Sequence, residues 1–229
     1  VANVSHELRT PLTAVRGLLE PLADGMVQDE QTRQRYYHVM LHEVVRLSRL
    51  ITDLLQLSRL QSGTEYMEVG AVDVSELLAE IHQNYLHEAS QRGIRLVLDA
   101  DDLPYAMTDR DRIEQILVIL IDNAMRYTPK DGTITLSATA GDVIVVSVSD
   151  TGCGIAAADL PHLFERFYKV DKSRKEGGTG LGLSIAKQII DKLGERIYVE
   201  STPGEGTSFH FTLKRYVSNA IALGPSSSN

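Results

Sequence analysis

Leu8, Leu12, Val15, Leu19 and Leu22 recur at alternating spacings of four and three residues, which places them on one face of an amphipathic helix. The segment from Ala23 to Asp29 breaks this stripe, with Gly25 reading as the helix stop and Asp29 as the N-cap of the next helix. The stripe resumes at Tyr37, Met40, Val44, Leu47, Ile51 and Leu54. So short a connection predicts an antiparallel helical hairpin. One hairpin has too little partner surface to bury both stripes, whereas two copies close a four-helix bundle, so a homodimer is expected.

Residues 63–72 read as a linker, and beyond them the period changes. Asp73 or Ser75 caps a helix running towards Ser90, and Ile94, Leu96 and Leu98 alternate as in a strand over 93–99. A largely apolar helix is predicted over 109–127, closed by Thr128-Pro129 because proline disfavours helical geometry in the residue before it. Runs rich in β-branched residues over 133–140 and 143–149 flank Gly141-Asp142, a hairpin signal. The stretch 150–179 is glycine-rich without a long period, 181–193 is helical, and strands over 195–201 and 207–213 flank the turn Pro203-Gly204-Glu205-Gly206. Hairpin-paired strands with helices between them predict a mixed sheet covered on one face by helices. The expected organisation is a hairpin domain over 1–62, the linker over 63–72, an α/β domain over 73–215 and an unstructured tail over 216–229.

Of the 229 residues, 43 % are apolar and 24 % charged, the balance of a globular chain. A net charge of −8 argues against a nucleic-acid partner, which calls for a basic face, and requires any polyanion site to gather Lys and Arg locally. Cys153 is the only cysteine, so there is no internal disulfide and a cysteine zinc site is disfavoured. The longest apolar run, 116–121, falls far short of the ~20 residues that span a bilayer. The N-terminus has no signal-peptide pattern and already carries helical spacing at Val4 and Leu8, so the chain is expected to be part of a longer protein.

The segment Ser5-His6-Glu7-Leu8-Arg9-Thr10-Pro11-Leu12 holds the first candidate chemistry. With Leu8 and Leu12 on the apolar face, His6, Glu7 and Thr10 lie elsewhere on the helix, and Thr10 stands one turn from His6. A neutral imidazole is a competent nucleophile for phosphorus, and an adjacent carboxylate can take its other proton as the N–P bond forms. Pro11 removes the helix hydrogen bond that would end on the Glu7 carbonyl, which loosens the backbone beside the nucleophile.

Asp150-Thr151-Gly152-Cys153-Gly154 directly follows a predicted strand. A carboxylate there can accept a hydrogen bond from the exocyclic amine of adenine, and the glycines let the backbone turn sharply against a flat base. The string alone also fits an ordinary strand-to-loop turn. Gly178-Thr179-Gly180-Leu181-Gly182 opens a helix whose unpaired N–H groups and positive dipole end suit phosphate oxygens. It is not a P-loop, having no Gly-Lys-Ser/Thr, nor a dinucleotide fingerprint, having no strand that feeds it. Asn123 offers a neutral carbonyl of the kind Mg²⁺ accepts beside phosphates and waters, Arg126 can pair with a phosphate, and Tyr127 can stack or donate. Tyr168 and Lys169 follow Phe164-Glu165-Arg166-Phe167, and with Lys172, Arg174 and Lys175 they supply the local positive charge and read as a mobile cover for a nucleotide.

Ser5 to Pro11 resembles the histidine box of sensor histidine kinases. Asn123, Asp150-x-Gly152-x-Gly154, Phe164–Phe167, Gly178–Gly182 and Gly204-x-Gly206-Thr207 resemble that family's nucleotide boxes, in the family's order. The resemblance runs from Val1 to Leu213. It implies a dimerisation and histidine-phosphotransfer hairpin followed by a Bergerat-type ATP-binding two-layer α/β sandwich. It further implies ATP and Mg²⁺ as cofactors, autophosphorylation of His6, transfer to an aspartate on a response-regulator receiver domain, and a cytoplasmic position below a membrane-bound sensor. In the family, a Glu at the place of Glu7 is linked to base action, and a polar residue at the place of Thr10 to orienting a water that dephosphorylates the partner. Leu181 and Thr207 fall within the nucleotide boxes. One place departs: Ile119 stands one turn before Asn123, where the family commonly has a polar residue and gyrase-like ATPases a Glu that activates water, so free ATP hydrolysis is expected to be poor. The competing expectations are a nucleotide-binding dimeric scaffold or phosphatase module with weak kinase activity, which Ile119 motivates, and a stand-alone ATPase.

Overall fold

The computed structural model describes residues 2–63, 66–100, 103–170 and 178–217, and the chain divides into two compact units. One takes the chain as far as Tyr66 together with 155–192, and the other takes 67–154 and the chain from Leu193 onward.

In the first unit, α1 (Ala2–Ala23) and α2 (Glu30–Ser62) form the hairpin. Asp29 starts α2 as its spacing predicts, its carboxylate accepting from the Thr32 amide at 2.7 Å, and Gly63 ends the helix in a left-handed conformation. Pro11 stays within α1, and the Thr10 hydroxyl donates to the His6 carbonyl at 3.1 Å. The apolar stripe is unevenly covered. The buried residues of α2 are Leu50, Leu57 and Leu60, which lie off the stripe that the spacing picks out, whereas Leu12 and Leu19 are 55 % and 52 % exposed, and Tyr37, Val44 and Ile51 are exposed with them. The same unit holds a short 3₁₀ turn (Leu160–His162) and α5 (Gly182–Leu193), whose Ile185, Ala186, Ile189 and Ile190 are buried.

In the second unit, α3 (Val74–Arg92) is capped by Asp73, not Ser75, through the Glu76 amide at 3.0 Å. Gly93 closes it, donating to the Ala89 and Ser90 carbonyls, so the strand expected from residue 93 begins only at Arg95. α4 (Arg110–Tyr127) starts on Asp109, whose carboxylate accepts from the Arg112 amide at 3.2 Å. Two three-residue strands, β1 (Gly70–Val72) and β3 (Ala106–Thr108), pair antiparallel with each other. Both are too short to leave a period in the sequence, and β1 takes up the end of the expected linker.

The main sheet contains β2 (Arg95–Asp99), β4 (Thr133–Ala140), β5 (Ile144–Asp150), β6 (Ile197–Thr202) and β7 (Gly206–Leu213), in the order β2-β4-β5-β7-β6. β2 runs parallel to β4 and every other pair is antiparallel. Leu136, Val146, Val148, Phe209 and Phe211 are buried on one face, against which α3 and α4 pack. No helix among the described residues is long and apolar enough to cross a membrane.

Phe211 is fully buried mid-strand between β5 and β6. Phe211→Ala is expected to destabilise the chain by about 3–5 kcal/mol in urea unfolding; a loss under ~1 kcal/mol would contradict this packing.

Candidate functional site

β5 ends at Asp150, and its antiparallel register sets that residue opposite Thr207 on β7. The Asp150 carboxylate turns back to accept from the Gly152 amide at 2.8 Å. The turn is tied down on both sides: the Thr151 amide donates to the Thr133 carbonyl at 3.0 Å, and the Gly204 amide to the Cys153 carbonyl at 2.8 Å. Glycine is required at three points of this turn, Gly154 among them, where φ is 67° and a Cβ would lie 2.0 Å from the Thr202 carbonyl oxygen. A Cβ on Gly152 would lie 2.6 Å from both Asp150 Oδ1 and the Tyr127 carbonyl oxygen, and one on Gly206, at φ 138°, would lie 1.9 Å from the Asp150 carbonyl oxygen. Burial pushes the Asp150 carboxyl above its ordinary value, partly offset by the amides of Gly152 and Thr207.

Tyr127, Asp150, Gly152 and Thr207 therefore meet at one turn of the second unit, with Gly154 two residues further on. Asn123, half-buried, and Arg126, exposed, sit on the last turns of α4 beside Tyr127. The helix end is held by the Thr128 amide donating to the Ala124 carbonyl at 2.9 Å, and by Tyr85 donating to Asp122 at 2.8 Å. Half-buried Ile119 lies one turn before Asn123.

The remaining candidates belong to the first unit. His6 is exposed on α1 and Glu7 half-buried beside it. Lys169 Nζ stands 3.1 Å from Glu7 Oε2, and Arg46 on α2 reaches the same oxygen at 3.6 Å. Tyr168 donates its hydroxyl to Asp159 at 2.5 Å, with its ring 5.5 Å from that of His162. Phe167, in the left-handed region at φ 64°, donates its amide to the Gly180 carbonyl at 2.8 Å, which joins Tyr168 and Lys169 to the glycine segment. In that segment the Thr179 hydroxyl accepts from the Leu181 amide at 3.3 Å and donates to Asp53 on α2 at 2.7 Å; Gly182 begins α5 and Gly178 precedes the turn. Lys172, Arg174 and Lys175, and the tail from 218 onward, lie outside the described residues.

Sequence reasoning passed over Arg46, Asp53 and Thr151. Thr151 is structural, its hydroxyl accepting from the Thr133 amide at 2.9 Å. Asp53 carried a visible signal, a lone acid between Leu50, Ile51, Leu54 and Leu55. Arg46 carried none, since arginines recur throughout α2.

An exposed imidazole beside a carboxylate can accept a phosphoryl group, and a desolvated carboxylate in a glycine-bounded turn can select a base bearing an amine. The comparisons show which families these regions resemble. Residues 1–63 match the family model of the His Kinase A (phospho-acceptor) domain, and residues 108–217 that of the histidine kinase-, DNA gyrase B- and HSP90-like ATPases. The sensor histidine kinase WalK of Bacillus subtilis (strain 168) is 38 % identical over 228 residues, covering 93 % of this chain and 36 % of WalK. The chain thus spans about a third of the length of this curated relative. Among solved structures, full-length ShkA in complex with AMPPNP aligns with a TM-score of 0.70 at 28 % identity, covering 95 % of this chain and 46 % of that one. Histidine kinase ThkA in complex with the response regulator protein TrrA aligns with a TM-score of 0.78 at 26 % identity, covering 94 % and 60 %. Two family models in this order, and relatives that match across both, converge on one lineage: the chain belongs to the sensor histidine kinases of two-component systems.

Proposed function

We propose that this chain takes the γ-phosphoryl group of ATP onto His6 and passes it to an aspartate on a response-regulator receiver domain. The observation that carries this reading is His6 itself, exposed next to Glu7 on α1 within the region matched by the phospho-acceptor model. In the first step an imidazole nitrogen bonds to the γ-phosphorus, the bond to the β–γ bridging oxygen breaks, and ADP leaves with that electron pair. Glu7 takes the proton from the other ring nitrogen. In the second step the partner's aspartate oxygen attacks the same phosphorus, the N–P electrons return to the ring, and the ring regains the proton that Glu7 took. The ThkA complex supports a partner of this class. Thr10, one turn from His6, is assigned to orienting a water for dephosphorylation of that partner.

Asp150 is assigned to the adenine amine, with Gly152, Gly154, Tyr127 and Thr207 around it and Asn123 and Arg126 towards the phosphates. Tyr168, Lys169, Gly178, Thr179, Gly180, Leu181 and Gly182 are assigned to ATP on their motifs. The likeness to ShkA, whose complex contains AMPPNP, supports nucleotide binding. Among the described residues no cluster of three His, Cys, Asp or Glu side chains could hold a metal alone. Half-buried Asn123 fits Mg²⁺, which takes one protein oxygen and leaves its other places to phosphates and waters, and which would neutralise charge on the transferred group. Residues 1–62 form the phosphotransfer domain and 73–215 the ATP-binding domain. The exposed Leu12, Leu19, Tyr37, Val44 and Ile51 support a homodimeric bundle, and a cytoplasmic position beneath a membrane-anchored sensor is assigned on the family's organisation alone. Apolar Ile119 favours a second reading, a scaffold or phosphatase module that binds nucleotide but scarcely phosphorylates itself.

Incubation with γ-labelled ATP and Mg²⁺ separates the readings. Acid-labile, alkali-stable label that vanishes in His6→Gln is expected; nucleotide binding with no label indicates the scaffold, and phosphate release that survives His6→Gln indicates an ATPase. Ile51→Arg is expected to shift the dimer to monomer in sedimentation at micromolar concentration, and an unchanged dimer would remove that face from the bundle. Asp150→Asn should weaken nucleotide binding about 10- to 100-fold, the worth of a charge-assisted hydrogen bond. Because burial raises the folded-state carboxyl above 3.8, the proton is held more tightly in the folded chain, and ionisation as pH rises through that window costs stability. Only the ionised form accepts the adenine amine at both oxygens. Nucleotide affinity should therefore fall on acidification from a higher pH than an ordinary aspartate would set, and titration calorimetry of Asp150→Asn should lack this dependence.

A further inference from the structure

Two residues assigned to ATP are held by acids of the helical hairpin, in the same compact unit. Thr179 donates its hydroxyl to Asp53 at 2.7 Å, and Lys169 Nζ stands 3.1 Å from Glu7 Oε2. The two contacts are mechanically joined, because the Phe167 amide donates to the Gly180 carbonyl at 2.8 Å and so ties the chain before Lys169 to the residue after Thr179. Asp53 is half-buried on α2, and burial pushes its carboxyl above the ordinary value while the Thr179 hydroxyl and, less strongly, the charge of Arg49 oppose this.

The chemistry of the two donors differs. A threonine hydroxyl has one proton to give, whereas an ammonium group has three. Thr179 can therefore serve Asp53 or a phosphate oxygen, not both. Lys169 can in principle serve two anions, but Arg46 already stands 3.6 Å from the same Glu7 oxygen, so the carboxylate keeps a cation if Lys169 leaves.

We propose that Asp53, assisted by Glu7, is an acidic clasp that competes with the phosphates of ATP for Thr179 and Lys169, so that nucleotide loads at the expense of these contacts. This rests on the assignment of both residues to ATP and deepens it into a regulatory device. Nucleotide affinity is lowered by the fraction of chains in which the clasp is closed. The same event that loads ATP divides Lys169 between the nucleotide and the carboxylate beside His6.

The test uses the whole chain carrying Asp53→Leu, which fills a similar space without an acceptor for the Thr179 hydroxyl, with Asp53→Ala as a second variant if the first is poorly folded. AMPPNP affinity is measured by calorimetry, and amide hydrogen exchange of Gly180 and Leu181 is followed without nucleotide. A clasp closed in most chains predicts affinity about three- to tenfold tighter and exchange accelerated to a similar degree. Unchanged affinity overturns the proposal whether or not exchange quickens, because the nucleotide then does not compete for the contact. Tighter affinity with unchanged exchange also overturns it, since Asp53 would then act through something other than holding Thr179. Failure of the underlying nucleotide reading looks different: Asp150→Asn would bind AMPPNP as tightly as the unaltered chain, or neither would bind it, and the clasp would fall with that reading.

Discussion

A carboxylate at the end of β5, in a place from which sheet packing has withdrawn much of the water, constrains everything around it. Removing an ion from water costs several kcal/mol unless hydrogen bonds replace the lost hydration. The backbone supplies that replacement through the amides of Gly152 and Thr207. Bringing two chain segments so close leaves no room for a Cβ at residue 152 or 206. The glycines are thus there because of the aspartate, and the register of β5 with β7 is what puts Thr207 opposite it.

The chain carries 23 Lys and Arg against 31 Asp and Glu, so what distinguishes a cation is where it stands. Lys169 and Arg46 both converge on Glu7, the acid next to the exposed imidazole. Such exposed or half-exposed pairs contribute little to stability individually. Their importance is positional, because they set the charge beside the exposed His6.

Features made by neighbours in sequence could be read before the structure. Asp29, Asp73 and Asp109 each accept from an amide three residues ahead, so the cap and its helix are written in one short stretch. The hairpin at Gly141-Asp142 is equally local, as is the glycine turn after Asp150. The three-residue strands β1 and β3 were not legible because a period of two needs more residues to show itself. The parallel pairing of β2 with β4 depends on how α4 crosses between them, which no dipeptide records. Asp53 and Thr179 are 126 positions apart, and only folding reveals that a lone acid in an apolar helix stretch has a hydroxyl for its partner.

The hydrogen bond from Thr10 to the His6 carbonyl carries a consequence for polarity. With its single proton committed to the backbone, the Thr10 oxygen meets the solvent through lone pairs. A water held there would be gripped by one of its own hydrogens, leaving its oxygen, the nucleophilic end, directed outward from the helix. Pro11, by supplying no amide to this stretch of backbone, thereby sits beside a side chain whose polarity is set by the helix carbonyls.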